Sequence, residues 1–308
     1  MSYDDLATHY GMLKDVVRTE GYRRAIGEVV QPGSVVLDLG CGTGILSVFA
    51  ARAGAARVYA IERAPIGGLA EKVFKANDAC VTLLRGRAAD VSIPERVDVL
   101  VSEWMGFFLF HETMFEDVVR MRDRVLTENG VMLPSQVRLF AALVSNPVLL
   151  GERSYFASRP YDVDFSPAHD WLASNVAVRS IDPKDLCTEA ALLGSIEMRT
   201  CSPEPPRMTA AFKVDHDVEL HGICGWFDAQ LSPSHAFDTG PSSPPTHWQQ
   251  MFFPFRDPVH VEAGAAVSIS IRACRIGKDA TPAWQWTVET GATKLSHDDF
   301  MHKVPMPA

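Results

Sequence analysis

The sequence predicts an α/β fold in two parts, a mainly parallel sheet layered with helices followed by a β-rich second half. Three observations predict it. Apolar strand-like runs alternate with helical ones from 35 to 134. The first of them, Val36-Leu37-Asp38-Leu39, runs into Gly40-Cys41-Gly42-Thr43-Gly44. After Pro134 the alternation gives way to period-two segments such as Val267-Ser268-Ile269-Ser270-Ile271 and Trp284-Gln285-Trp286-Thr287-Val288. Strand-helix alternation builds a parallel sheet that receives ligands beyond the carboxyl ends of its strands. Period-two hydrophobicity marks half-buried strands.

Taken in order, Leu13, Val16, Val17, Ala25, Ile26 and Val29 recur at helical spacing, and Gly21 among them predicts two short helices within 9–29. Strands are expected at 35–40, 57–62, 81–85, 97–102 and 130–133. Helices are expected near 44–53 (closed by Gly54), 66–77 and 111–126. Residues 147–180 lack a clear period and hold several prolines. The expected organisation is therefore N-terminal helices over 1–30, the parallel-sheet domain over 31–134 and a β-rich domain over 135–308. No repeat or long linker separates them, so the cleft between the two main domains is the default site.

Composition narrows the function. The chain has 308 residues, 47% hydrophobic and 22% charged, enough for two real cores. No apolar run approaches the ~20 residues that span a bilayer. The start, Met1-Ser2-Tyr3-Asp4-Asp5, lacks the basic and apolar regions of a signal peptide. The expectation is a cytoplasmic or nuclear protein without a membrane partner. A net charge of −9 argues against direct nucleic-acid binding, which runs on clustered Lys and Arg, and suits a cationic partner. Six scattered cysteines with no C-x-x-C pair suggest buried thiols rather than a zinc site or disulfides, and no metal is implied.

The glycine turn carries the first chemistry. Glycines at alternate positions let the backbone turn tightly with a ligand against it, and Glu62, at the end of Arg57-Val58-Tyr59-Ala60-Ile61-Glu62, is placed to grip a ribose. The pattern G-x-G-x-G differs from the dinucleotide fingerprint, and no Lys-Ser/Thr follows to hold phosphate. A nucleoside cofactor without phosphate, S-adenosylmethionine, fits better.

Beyond the strand at 97–102 lies Glu103-Trp104-Met105-Gly106-Phe107-Phe108-Leu109-Phe110-His111-Glu112-Thr113-Met114. It places two carboxylates on a loop at the productive end of the sheet, separated by an apolar stretch. This stretch resembles the double-glutamate loop of the protein arginine methyltransferases, and Pro245-Thr246-His247-Trp248 resembles that family's threonine-histidine-tryptophan loop. The similarity runs from Met12-Leu13-Lys14-Asp15-Val16-Val17-Arg18-Thr19 through Leu133-Pro134 into the β-rich half, nearly the whole chain.

The resemblance implies a Rossmann-like S-adenosylmethionine-dependent domain, a β-barrel-like domain and a helical dimerisation arm over 147–180. By resemblance Glu103, Glu112, His247 and Asp15 are catalytic. Arg18, Asp38, Gly40, Gly42, Glu62, His9 and the position of Ala89 belong to the cofactor site, with Arg18 on the cofactor carboxylate. Met12, Met114, Trp104 and Trp248 line the substrate pocket, the two methionines matching members that make asymmetric dimethylarginine. Implied partners are Arg/Gly-rich proteins, with the chain in a homodimer or in a hetero-oligomer with a related methyltransferase.

The residue types suit that reaction. A guanidinium is protonated (reference pKa ~12.5–13.8) and spreads its charge over three nitrogens, so it is a poor nucleophile. Two carboxylates hydrogen-bonded to the fork draw positive charge toward the held nitrogens and aim the third. They also offset the meeting of two cations, and aromatic walls at Trp104, Phe107 and Phe108 would exclude water.

The chain departs from the family pattern twice. Of the family's Tyr-Phe-x-x-Tyr lid the expectation is that only the last member, Tyr3, is kept, and in Gly86-Arg87-Ala88-Ala89-Asp90 an alanine, Ala89, stands where the family places the Glu that accepts from the adenine amino group. A missing neutral hydrogen bond costs about 0.5–1.5 kcal/mol, and an aromatic lid over a purine is worth about 1–3 kcal/mol. Two readings follow: an arginine methyltransferase with a weakened cofactor grip, or an inactive subunit that activates a related enzyme.

Overall fold

The computed structural model describes residues 5–110, 114–276 and 281–300. Two helices come first, α1 (Leu6–Lys14) and α2 (Val16–Val29). The break between them is at Asp15, not at Gly21 as the sequence pattern predicts. Asp15 takes extended backbone (φ −67°, ψ 99°), closes α1 and caps α2 by accepting from the Arg18 N–H at 3.0 Å. Gly21 stays helical for a packing reason: a Cβ there would come 3.3 Å from Leu231 of the second domain.

The first domain is a five-stranded parallel sheet of β1 (Val35–Leu39), β2 (Arg57–Glu62), β3 (Val81–Arg85), β4 (Val97–Val101) and β5 (Leu126–Leu133), ordered β3-β2-β1-β4-β5. Helices α3 (Ile45–Arg52), α4 (Gly67–Ala76) and α5 (Met114–Val125) link the strands. Every residue of β1 is buried, as befits the central strand of a sheet covered on both faces. The chain leaves β1 toward β2 on one side and later returns to β4 on the other. That reversal opens a crevice beyond their carboxyl ends.

The second half forms two antiparallel sheets. The larger joins β6 (Gln136–Val144), β7 (Ala177–Arg179), β8 (Ala191–Glu197), β10 (Val218–Ser232) and β12 (Gln250–Val261) in the order β7-β12-β10-β6-β8, with β11 (His235–Asp238) on β10. The smaller runs β15 (Thr293–Asp298), β14 (Thr281–Thr290), β13 (Ala266–Ile276), β9 (Met208–Lys213). Val267, Ile269 and Ile271 on β13 and Trp284, Trp286 and Val288 on β14 are buried at alternate positions, as the period-two pattern requires. The sheets share a core in which Phe253 meets Trp284 (5.6 Å) and Trp286 (5.8 Å). Between β6 and β8 the chain makes an excursion carrying α6 (Glu152–Ala157) and α7 (Ser166–Ala173).

The two halves are tied together in several places. Arg122 of α5 donates to the Met198 and Cys201 carbonyls at 2.7 and 3.0 Å, and Glu28 of α2 accepts from the hydroxyls of Ser232 and Ser234. The cysteines are all free thiols; Cys41 and Cys224 are buried, whereas Cys80 is exposed, contrary to the expectation for all six.

Candidate active site

A cavity of about 780 Å³ opens where the crevice meets the second domain. Its floor is the turn after β1. Gly40 (φ +75°) and Gly42 (φ +54°) occupy the left-handed region that glycine enters without strain. Their bare Cα atoms also leave room for neighbours: a Cβ on Gly40 would lie 2.5 Å from Met114 Cε, and one on Gly42 2.8 Å from the His9 ring. The Gly42 N–H donates to Glu62 Oε2 at 2.8 Å and the Ala64 N–H to Oε1 at 2.7 Å. Two amides thus orient Glu62, and each oxygen keeps acceptor capacity for a diol.

Arg18 and Glu103 lie on the far side. The Arg18 guanidinium meets Glu103 Oε2 through Nε (3.0 Å) and Nη2 (2.9 Å), with side chains 8% and 9% exposed. Glu103 Oε1 accepts from the Met105 N–H at 3.1 Å, which fixes the carboxylate at the start of its loop. That loop is clamped by Ser102, whose hydroxyl donates to the Leu39 carbonyl at 2.7 Å, and by the buried Tyr22 hydroxyl on the Ser102 carbonyl. Sequence reasoning missed Tyr22 and Ser102, which act through other residues and belong to no spacing pattern.

His247 and Asp15, 232 positions apart in sequence, form a second pair. Asp15 Oδ2 accepts from the His247 backbone N–H (2.8 Å) and lies 2.7 Å from Nδ1, so Nδ1 carries the proton and Nε2 is left as an acceptor. Burial pushes the Asp15 carboxyl up, but the imidazole and the Arg18 and His247 amides outweigh it and hold the group below its usual range. Trp248 stacks on Phe237 at 5.1 Å, fixing the loop that carries His247.

Of the other predicted residues, His9, Met12, Met114, Trp104 and Trp248 line the cavity with Arg18, Glu62, Glu103 and His247. Glu112 and Tyr3 lie outside the described residues. Three expectations are corrected. Asp38 does not line the cavity. It is sealed beneath the glycine turn, with Oδ2 on the Ser47 hydroxyl at 2.6 Å and Oδ1 without a hydrogen-bond partner among the described residues. Burial pushes it up to about 7 against the Ser47 hydrogen bonds, and Glu62 adds to the rise. Ala89 is also outside the cavity; its carbonyl accepts from Arg124 at 3.3 Å. Phe108 turns into the core against Gly225 and Trp284, leaving Trp104 and Phe107 as the aromatic wall. Asp117 of α5 lines the cavity unannounced by any motif.

The cavity lies within the ~300–1,000 Å³ that bury a drug-sized ligand, and its groups suit S-adenosylmethionine. Glu62 offers two acceptors for ribose hydroxyls, Arg18 a cation for a carboxylate tail, and the glycines a close backbone approach. Among the described residues no cluster of His, Cys, Asp and Glu could hold a metal ion.

Comparison with known proteins places this arrangement. Residues 36–130 match the methyltransferase domain model and 136–280 the arginine methyltransferase oligomerization subdomain. The probable protein arginine N-methyltransferase 6 of Arabidopsis thaliana is 35% identical over 88% of this chain and 73% of its own length. Protein arginine N-methyltransferase 1 of Dictyostelium discoideum is 32% identical over 87% and 81%. The chain belongs to the protein arginine N-methyltransferase family. Its cofactor is that family's, S-adenosylmethionine, and its reaction class is methyl transfer. Among solved structures, this methyltransferase matches the Trypanosoma brucei PRMT1 enzyme-prozyme heterotetrameric complex with AdoHcy at a TM-score of 0.89, with 28% identity over 97% of this chain and 99% of that one. Arabidopsis thaliana protein arginine methyltransferase 10 follows at 0.86, with 26% identity over 96% and 99%.

Proposed function

We propose that this chain methylates arginine side chains in Arg/Gly-rich protein segments, with Glu103 holding the guanidinium and His247 receiving its proton. The observation that carries the reading is that Arg18, Glu103 and His247 line one cavity, with Glu103 paired to Arg18 and His247 held from behind by Asp15. S-adenosylmethionine, when bound, supplies a methyl group on a positively charged sulfur. Glu62 orients the ribose, and Arg18 meets the carboxylate tail. Glu103, with Glu112 as the family's second carboxylate, holds the guanidinium fork and concentrates its electron density on the free nitrogen. As the N–C bond forms, the methyl–sulfur bond would break with its electron pair left on a neutral thioether, and the nitrogen would carry one proton too many. His247 Nε2 takes it, because Asp15 holds the proton on Nδ1 and leaves Nε2 as the acceptor. Trp104 and Phe107 keep water away from the charge transfer.

Incubation of the purified chain with labelled S-adenosylmethionine and an Arg-Gly repeat peptide tests this. Label in methylarginine is expected, and none in a Lys-Gly control. Label in the lysine peptide, or in neither, would contradict the reading.

Assembly supports a second reading. The excursion between β6 and β8 exposes Val148, Tyr155, Tyr161 and Trp171, an apolar set suited to burial in an oligomer. A solved relative is an enzyme-prozyme complex. Together with the alanine at 89, this favours a hetero-oligomer in which the chain activates a related enzyme. A chain that is inert alone and raises a relative's turnover on mixing would select it; a stable active homodimer would select the first.

A further inference from the structure

We infer that Asp117 is the acceptor for the adenine amino group, from the wall of the cavity opposite Gly86–Ala88. The inference rests on S-adenosylmethionine occupying this cavity. The reacting end lies at Glu103 and His247, and the ribose at Glu62, so the base falls at the remaining end, between Gly86–Ala88 and α5. An adenine edge there presents an N–H donor that needs an acceptor.

The strand-end wall offers poor ones. Ala88 and Ala89 carry methyl groups, and Arg87 only donates. The Arg87 carbonyl accepts from the Asp90 and Val91 amides, and those of Ala89 and Val91 are held by the Arg124 guanidinium. Asp90, the nearest carboxylate in sequence, is exposed and outside the cavity. Turning it inward would break the same bonds.

Asp117 faces this end from the other side. It is seven residues before Arg124 on α5, hence on the same helix face, and that face lies along the β3–β4 loop. Met114, one turn earlier, lines the cavity and reaches the Gly40 turn. Asp117 is half-buried and makes no hydrogen bond or ion pair to any described residue, whereas its neighbour Glu116 pairs with Arg120 and Arg275. A carboxylate on a cavity wall with both oxygens uncommitted accepts from an amino group and repels a carbonyl. It therefore also selects adenine over 6-oxo purines.

Calorimetric titration of the full chain with S-adenosylhomocysteine and with its 6-deamino purine analogue tests the assignment, in the wild type and in Asp117→Ala and Asp117→Asn. The wild type should bind the deamino ligand about ten- to a hundredfold more weakly, the worth of one hydrogen bond to a charged acceptor. Asp117→Ala should bind the two ligands within about twofold of each other, as a double-mutant cycle requires when the partner is gone. Asp117→Asn, which keeps an acceptor oxygen, should recover part of the preference. Equal binding of both ligands by the wild type would overturn the assignment, whether or not the variants fold. So would an unchanged preference in Asp117→Ala. Failure of the wild type to bind either ligand would overturn the cofactor reading and Asp117's role with it.

Discussion

Arg18 and Glu103 neutralise each other on one wall of the cavity, 2.9 Å apart and both nearly buried. The cofactor carboxylate and Glu103 therefore share one guanidinium. Glu103→Gln keeps the shape of the side chain and removes its charge, so Arg18 faces the ligand carboxylate less compensated. Affinity for S-adenosylhomocysteine should hold or rise severalfold by calorimetry, because a buried unpaired cation gains from a new anion. Methyl transfer should fall at least a hundredfold, the scale of losing one preorganised charge contact. Unchanged turnover would remove Glu103 from the mechanism.

Asp15 does two jobs that substitution separates. It caps α2 through the Arg18 amide, and it holds His247. Asp15→Asn preserves the cap and loses the carboxylate charge beside His247; Asp15→Ala loses both. At pH 7 the first should cost about 1 kcal/mol in urea unfolding and the second about 1 kcal/mol more. Because the folded-state carboxyl sits below its ordinary value, its contribution is complete above the unfolded value and disappears as pH falls through the folded one. The wild type and Asp15→Asn should therefore converge toward acid. Convergence toward alkaline pH would contradict the assignment.

How much of this the sequence displayed depends on which physics each feature obeys. β13 and β14 were legible because half-burial imposes period two, and the turn at Gly40 because a ligand-facing turn needs residues without Cβ. Gly21 misled because propensity costs a helix only about 1 kcal/mol at glycine, and packing against Leu231 overrides it. The Asp15–His247 pair came from motif resemblance alone, since nothing local links residues 232 apart. The Arg18–Glu103 pair was hidden because resemblance gave the two residues separate partners. Asp117 had no signal: it reads as an ordinary acid in a first helical turn until the cavity wall is seen.

Asp38 gives the folded chain a second, opposite pH dependence. Its carboxyl is pushed up to about 7 chiefly by burial, so between its ordinary value near 4 and 7 the folded chain holds a proton that the unfolded chain releases. This contribution is complete below the unfolded value and declines as pH rises through 7, with a limiting slope of about 1.4 kcal/mol per pH unit. Asp38→Asn is neutral throughout and should lack the decline. Urea midpoints from pH 5 to 8 check this: the wild type should lose ground to the variant as pH rises, and parallel profiles would contradict it.

The loop bearing Glu103 is held from below by a contact between Phe108 and Gly225. Phe108 and Leu109 both take φ of +65°, where side chains are strained, and both are fully buried, so tertiary packing sustains the conformation. The Phe108 ring lies where a Cβ on Gly225 of β10 would come within 2.9 Å of it, while Phe253 and Trp284 close the other sides at 5.6 Å between ring centres. Gly225→Ala should therefore cost about 1–3 kcal/mol through overpacking. By shifting the loop it should lower transfer more than cofactor affinity, since Glu62 and the glycine turn stand on other strands. Phe108→Ala removes the obstructing ring at a cost of about 3–5 kcal/mol. In that background Gly225→Ala should cost less than it does alone, the remaining contact being with Phe253 at 3.2 Å. Denaturant unfolding of the two single variants and the double variant reads the coupling directly, and additive costs would show that Gly225 and Phe108 do not hold the loop together.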